Sequence, residues 1–115
     1  MCTEETVNLH EIIATAGEQA GVVWTLRDSE DLNANLVRFA PRRGVNEHTN
    51  VEVDVIFVGV SGSGVVMIDG NEYPLPAATV VFAPKGTRRS TRSASKDFAY
   101  LTIHRRRGPL RIGSR

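Results

Sequence analysis

The 115-residue chain has one cysteine, at position 2, so no disulfide can form within it. That suits a reducing compartment, and the cytoplasm is the expected location. No apolar run approaches the roughly 20 residues that a membrane-spanning helix needs. The opening stretch MCTEETVNLHE is acidic and polar, unlike a secretory signal. No membrane partner is therefore expected. Helical periodicity is scarce after residue 20, which argues against a helical bundle. Net charge is also small, +1 at neutral pH.

That charge is unevenly spread. Residues 1–40 carry seven acids and two arginines, whereas residues 84–115 carry ten bases and the single acid Asp97. Arginine outnumbers lysine twelve to two. Such a basic end attracts anions. The run RRR at 105–107 adds no recognition helix or stacking platform, so phosphate attraction without sequence readout is all it offers. No specific nucleic-acid partner is expected. Residues 105–115 read as a basic tail, either a solvated end or an arm on a neighbouring subunit, and Leu110 and Ile112 within it suggest some docking.

What the chain has is strands. A domain of this size buries roughly 65% of the surface its unfolded chain exposes, enough for one core. Residues 1–20 read as a leader in which EIIATAG makes a short helical turn stopped by Gly17. VVWTL (22–26), LNANLVRFA (32–40), VEVDVIFVGV (51–60), VVMI (65–68), TVVFAP (79–84) and FAYLTIH (98–104) are β-prone. PRRG, SGSG and DGNEY between them are turns. Seven or eight short strands at about ten-residue spacing predict an all-β sandwich or barrel over residues 21–104. Trp24 and Phe39 read as core residues.

Within this pattern, EHTNVEVDVIFV (47–58) carries the candidate chemistry. His48, Asn50, Glu52 and Asp54 recur at every second position, so an uninterrupted strand would present all four on one face. Val51, Val53, Val55 and Phe57 would then face the other way, as an apolar stripe in need of cover. Three stacked polar side chains would be costly to bury. A bulge nearby would turn one of Glu52 and Asp54 away, and Asp54 is the one expected to face inward.

The region 32–104 resembles the cupins, small antiparallel jelly-roll barrels with two motifs. The first resembles G-x5-H-x-H-x3,4-E-x6-G and the second G-x5-P-x-G-x2-H-x3-N. Gly44 stands near the start of the first motif, His48 at its first histidine, Asn50 at its second, Asp54 at its glutamate and Gly62 one residue beyond its end. In the second motif Ala78 replaces the opening glycine, while Pro84 and Gly86 match. Arg89 stands at the histidine and Ser93 at the asparagine.

The resemblance implies a cupin double-stranded β-helix, or jelly-roll barrel, with a short N-terminal leader. It also implies a pocket formed by His48, Asn50, Asp54 and Arg89. Cupins usually hold a metal ion there. A guanidinium, however, has no lone pair to donate and repels a dication. A reduced site would draw on His48, Asp54 and His104, with Glu52 as a further donor. The expected alternative is that Arg89 pairs with Asp54 and supplies the positive charge in place of a metal. No nucleophile–base pair is legible, which leaves enzymatic activity open. The expected function is binding of a small polar or anionic molecule without a tightly held cofactor. The alternative is a metal-dependent oxygenase or isomerase using a divalent transition metal on His48 and a carboxylate. Because many cupins pack sheet to sheet, a homodimer is expected.

Overall fold

The computed structural model describes residues 6–106. Its first element is helix α1 (Leu9–Ala16). Asn8 caps it by accepting the N–H of Glu11 at 3.0 Å, and Gly17 ends it at φ 64°. Leu9, Ile12, Ile13 and Ala16 are its half-buried positions, one stripe at helical spacing. The helix is longer than the single turn expected at 11–17, because the Asn8 cap starts it two residues earlier.

Nine strands follow: β1 (Gly21–Thr25), β2 (Leu32–Phe39), β3 (His48–Thr49), β4 (Val55–Ser61), β5 (Gly64–Ile68), β6 (Asn71–Pro74), β7 (Val80–Ala83), β8 (Arg88–Ser93) and β9 (Phe98–Arg105). They form two antiparallel sheets, ordered β1-β2-β9-β4-β7 and β3-β8-β5-β6. This is the expected all-β, double-sheet jelly roll. Strand β8, RRSTRS, lacks the apolar residues that mark a strand in sequence. Its alternate residues Arg89, Thr91 and Ser93 are nonetheless buried, because they line the inner face of the second sheet. The basic tail expected at 105–115 lies outside the described residues from position 107 onward.

The inner faces meet in one core that includes Val37, Val53, Val55, Phe57, Val66, Ile68, Leu75, Phe98 and Tyr100. Phe39 packs at its edge, as expected, while Trp24 is half-buried. Tyr100 is the hub. Its ring centroid lies 5.3 Å from that of Phe98, 5.7 Å from Phe57 and 6.4 Å from Phe39. All three are tilted arrangements of the kind aromatic pairs favour. Its hydroxyl shares a 3.0 Å hydrogen bond with Thr91 on the opposite sheet.

The expected uninterrupted strand over 51–60 is corrected by the structure. Residues 50–54 are a turn between β3 and β4. The buried Asn50 accepts from the N–H groups of Glu52 (2.9 Å) and Val53 (3.2 Å), so its side chain bends the chain where alternation called for a strand. The expected facing is also reversed. Val53 is 1% exposed and Val55 and Phe57 are buried; only Val51, 72% exposed, points out. The valine stripe is the core stripe, because apolar side chains take the dry face when a strand has one wet and one dry side. The expected bulge exists, but it lies at Gly59–Ser61 in the β4–β9 pairing. Gly59 is obligatory there: a Cβ would sit 1.9 Å from the carbonyl oxygen of Pro76.

The outer face of the five-stranded sheet is apolar from strand to strand. Ile56 pairs with both Ile103 and Phe82, and Val58 with Leu101 and Val80. Helix α1 touches β1 and β4, and Leu36 and Ala99 on the strands between are fully buried. His10 Nε2 reaches the carbonyl of Val60 at 3.2 Å, and Arg38 donates to the carbonyl of Gly17. Beyond the helix, Ile56, Val80 and Phe82 remain exposed.

Burial pushes the Tyr100 hydroxyl up to about 12 from its ordinary 10.0, with the Thr91 bond opposing in part. The folded-state value lies above the unfolded one, so the tyrosine's contribution is whole below pH 10 and is lost as pH rises toward 12. The wild type should lose on the order of 2 kcal/mol over that range relative to Tyr100→Phe. Denaturant unfolding of both proteins at several pH values measures the difference; parallel curves would refute the assignment.

Candidate functional site

The barrel has one polar end, and strand register locates it. On the inner face of the first sheet, Thr25 lies opposite Asn35, Asn35 opposite Thr102, and Thr102 opposite Phe57. The next row pairs Asn33 with His104. These rows continue the face that carries Val37 and Tyr100, so their side chains look into the barrel beyond the aromatic cluster. Thr25 donates to Asn35 Oδ1 at 2.7 Å, and Asn35 Nδ2 donates to Asn33 Oδ1 at 3.2 Å. The result is a hydrogen-bonded chain of hydroxyl and amides, all partly buried.

The second sheet contributes its inner face at the same end. Thr91 meets Tyr100, and Gly64, the partner of Ser93, lies against the Phe98 ring. Arg89, two residues before Thr91, therefore lies toward Thr102 and His104. His48 is the direct cross-strand partner of Arg89 and shares its face. Arg105 closes this end by donating to the carbonyl of Glu52 at 3.0 Å.

Arg89 is 2% exposed, and its Nη2 donates to the Pro84 carbonyl (2.7 Å) and to Thr87 Oγ1 (3.2 Å). A buried guanidinium held by the turn that precedes its own strand places a fixed positive charge on the barrel wall. The expected pairing with Asp54 is not what the structure shows. Asp54 is exposed, and its Oδ1 accepts the N–H of Lys85 at 2.8 Å. The turn at 50–54 carries that carboxylate outward.

Of the four pocket residues expected from the sequence, His48 and Arg89 are brought together, Asn50 shapes the turn, and Asp54 ties that turn to Lys85. His48 is exposed, with Nδ1 3.0 Å from the carbonyl of Asn46. That contact makes Nδ1 the donor and leaves Nε2 with its lone pair when the ring is neutral. His104, half-buried on the other sheet, makes the same kind of contact to Arg105 at 2.7 Å. The donors expected for a reduced metal site are thus dispersed. His48 lies on β3, His104 on β9, and Asp54 in a turn, bound to backbone. Among the described residues, no three His, Cys, Asp or Glu side chains come together where a metal ion could be held. The residues present do not fit the usual cupin metal.

Thr25, Asn33, Asn35 and Thr102 are site residues that the motifs do not single out. A signal for them is present in LNANLVRF, whose asparagines alternate onto the same face as Val37 and Phe39. Two amides continuing an apolar face mark the point where the inner face of that strand turns polar.

No protein-family model matches the sequence, and no curated protein does. Solved structures match strongly. The TT1209 protein from Thermus thermophilus superposes with a TM-score of 0.73 at 19% identity, over 91% of this chain and all of that one. A cupin-2 domain containing protein from Shewanella frigidimarina gives 0.69 at 16% identity, over 88% of this chain and 95% of that one. KdgF from Halomonas sp. gives 0.68 at 21% identity, over 74% and 77%. Two-sheet topology, a buried aromatic seam and these likenesses agree: the chain has the fold of the small single-domain cupins.

Proposed function

We propose that the protein binds a small polar or anionic molecule at the polar end of its barrel, without a tightly held metal. The observation that supports this most is the donor set. Hydroxyl and amide groups of Thr25, Asn33, Asn35 and Thr102 stand there with the buried cation Arg89, in place of converging imidazoles and carboxylates. Amides and hydroxyls recognise hydroxyl and carbonyl groups, and the guanidinium favours an acid among them. Among the described residues no helix is long and apolar enough to cross a membrane, and the single cysteine agrees with a cytoplasmic location.

The test is a thermal-shift screen of small sugars, sugar acids and carboxylates, with metal content measured on untagged protein purified without chelators. A binder at 100-fold its Kd stabilises the native state by about 2.7 kcal/mol. Asn35→Ala and Thr102→Val should each remove most of that gain. A stoichiometric transition metal, or binding that both variants leave intact, would refute the reading.

The register yields a second test. Because His48 and Arg89 are directly opposed on one face, Arg89→His places two imidazoles about 5 Å apart at Cα. That pair should raise affinity for Zn²⁺ or Ni²⁺ at least about tenfold over the wild type, measured by calorimetry. No gain in a folded variant would show that the two positions do not share the face.

We propose further that a second copy of the chain covers the exposed Ile56, Val80 and Phe82 beyond helix α1. Contiguous apolar surface of this kind marks an association site, and closed two-fold pairing is the common solution. Light scattering should give a dimer for the wild type and a monomer for Phe82→Glu. A wild-type monomer would exclude this interface.

A further inference from the structure

A concavity lies on the outer face of the four-stranded sheet, away from the barrel interior. It is a cleft of about 420 Å³, within the size range of small-ligand sites. Its floor follows from register. Arg92 lies opposite Val65, Ser90 opposite Met67, and Met67 opposite Glu72. Val65 and Met67 therefore form an apolar strip between an arginine on one strand and a glutamate two strands away. The wall is the segment Arg42–Val45, which rides along β8. Arg42 N–H donates to the Ser93 carbonyl (2.9 Å), Ser93 N–H to that of Arg43 (2.7 Å), and Thr91 N–H to that of Val45 (3.1 Å). Gly44 permits this approach, since a Cβ there would stand 1.9 Å from the Thr91 carbonyl oxygen.

Charge in the cleft is divided. Arg88 is shared between Glu47 at 4.0 Å and Asp69 at 3.9 Å. Among the described residues, Arg42 and Arg92 have no carboxylate within ion-pair distance. Arg42 also holds φ at 68°, a left-handed backbone that Asn or Gly takes more cheaply. A side chain kept at such a position is a pointer to function.

We propose that this cleft binds a small organic anion with a single acidic head group, a carboxylate or phosphate monoester, and an apolar body. Arg42 and Arg92 hold the head group and Val65 and Met67 support the body. Glu72 at the far side disfavours a second negative charge there. The site shares no residue with the polar end of the barrel, so its test is independent of that reading.

The experiment is a ¹H–¹⁵N NMR titration of the full chain with hexanoate and with hexyl phosphate, up to about 10 mM. The amides of Gly44, Val45, Met67 and Ser90 should shift together. Tighter binding of one probe identifies the head group as carboxylate or as phosphate. Arg42→Gln and Arg92→Gln should each weaken binding at least about tenfold, while Arg27→Gln, outside the cleft, leaves it unchanged. Adipate, with an acid at each end, should bind less well than hexanoate, and Glu72→Gln should close that gap. Circular dichroism confirms that each variant is folded. Absence of shifts at these amides, or wild-type affinity in both arginine variants, would overturn the proposal.

Discussion

Tyr100 touches Phe39, Phe57 and Phe98 within the core and shares its hydroxyl with Thr91 on the opposite sheet. Thr91 Oγ1 also accepts the N–H of Val45, so the same contact steadies the segment that leads into β3. A buried hydroxyl without a partner would cost about 1–3 kcal/mol, so the bond ties the two sheets together at this point. Past Tyr100 the inner face divides by strand: β1, β2 and β9 turn polar with Thr25, Asn35 and Thr102, while β4 and β5 stay apolar with Phe57, Val55 and Ile68. The polar end of the barrel exists because those three strands of the first sheet leave the core there.

The departure from the usual cupin donor set has a physical logic. Arg89 stands where the cupin motif has an imidazole, and Pro84 and Thr87 hold its permanent cation in place. Asn50 stands at the motif's second imidazole, and its side chain satisfies two backbone donors in a turn. Once Asn50 is committed to that turn, Asp54 cannot continue the inner face. It caps the neighbouring turn at Lys85 instead. Ala78, at the motif's opening glycine position, keeps the glycine-like φ of 64°.

The two proposed binding regions divide the charged residues between them. Inward positions on β8 give Arg89 to the barrel, and outward positions give Arg92 to the cleft. This follows from strand pleat alone, since successive residues point to opposite faces. A short polar strand with arginines on both faces can therefore serve two surfaces.

Composition, turn residues and strand alternation were enough to determine an all-β chain with a helical leader, and the two motifs pointed to the jelly roll. Those features are local or nearly so, and one residue's neighbours in sequence carry them. Facing in the stretch 47–58 was not local. Alternating polar and valine residues are equally consistent with either face being inside. Only the packing of Val53, Val55 and Phe57 against the far sheet decided it. Asn50 likewise reads as a pocket residue or a turn former until its neighbours are placed. The opposition of His48 and Arg89 joins residues 41 positions apart, and the row of Thr25, Asn35 and Thr102 crosses three strands. Cross-strand register is a property of the closed barrel, and no segment of the sequence contains it.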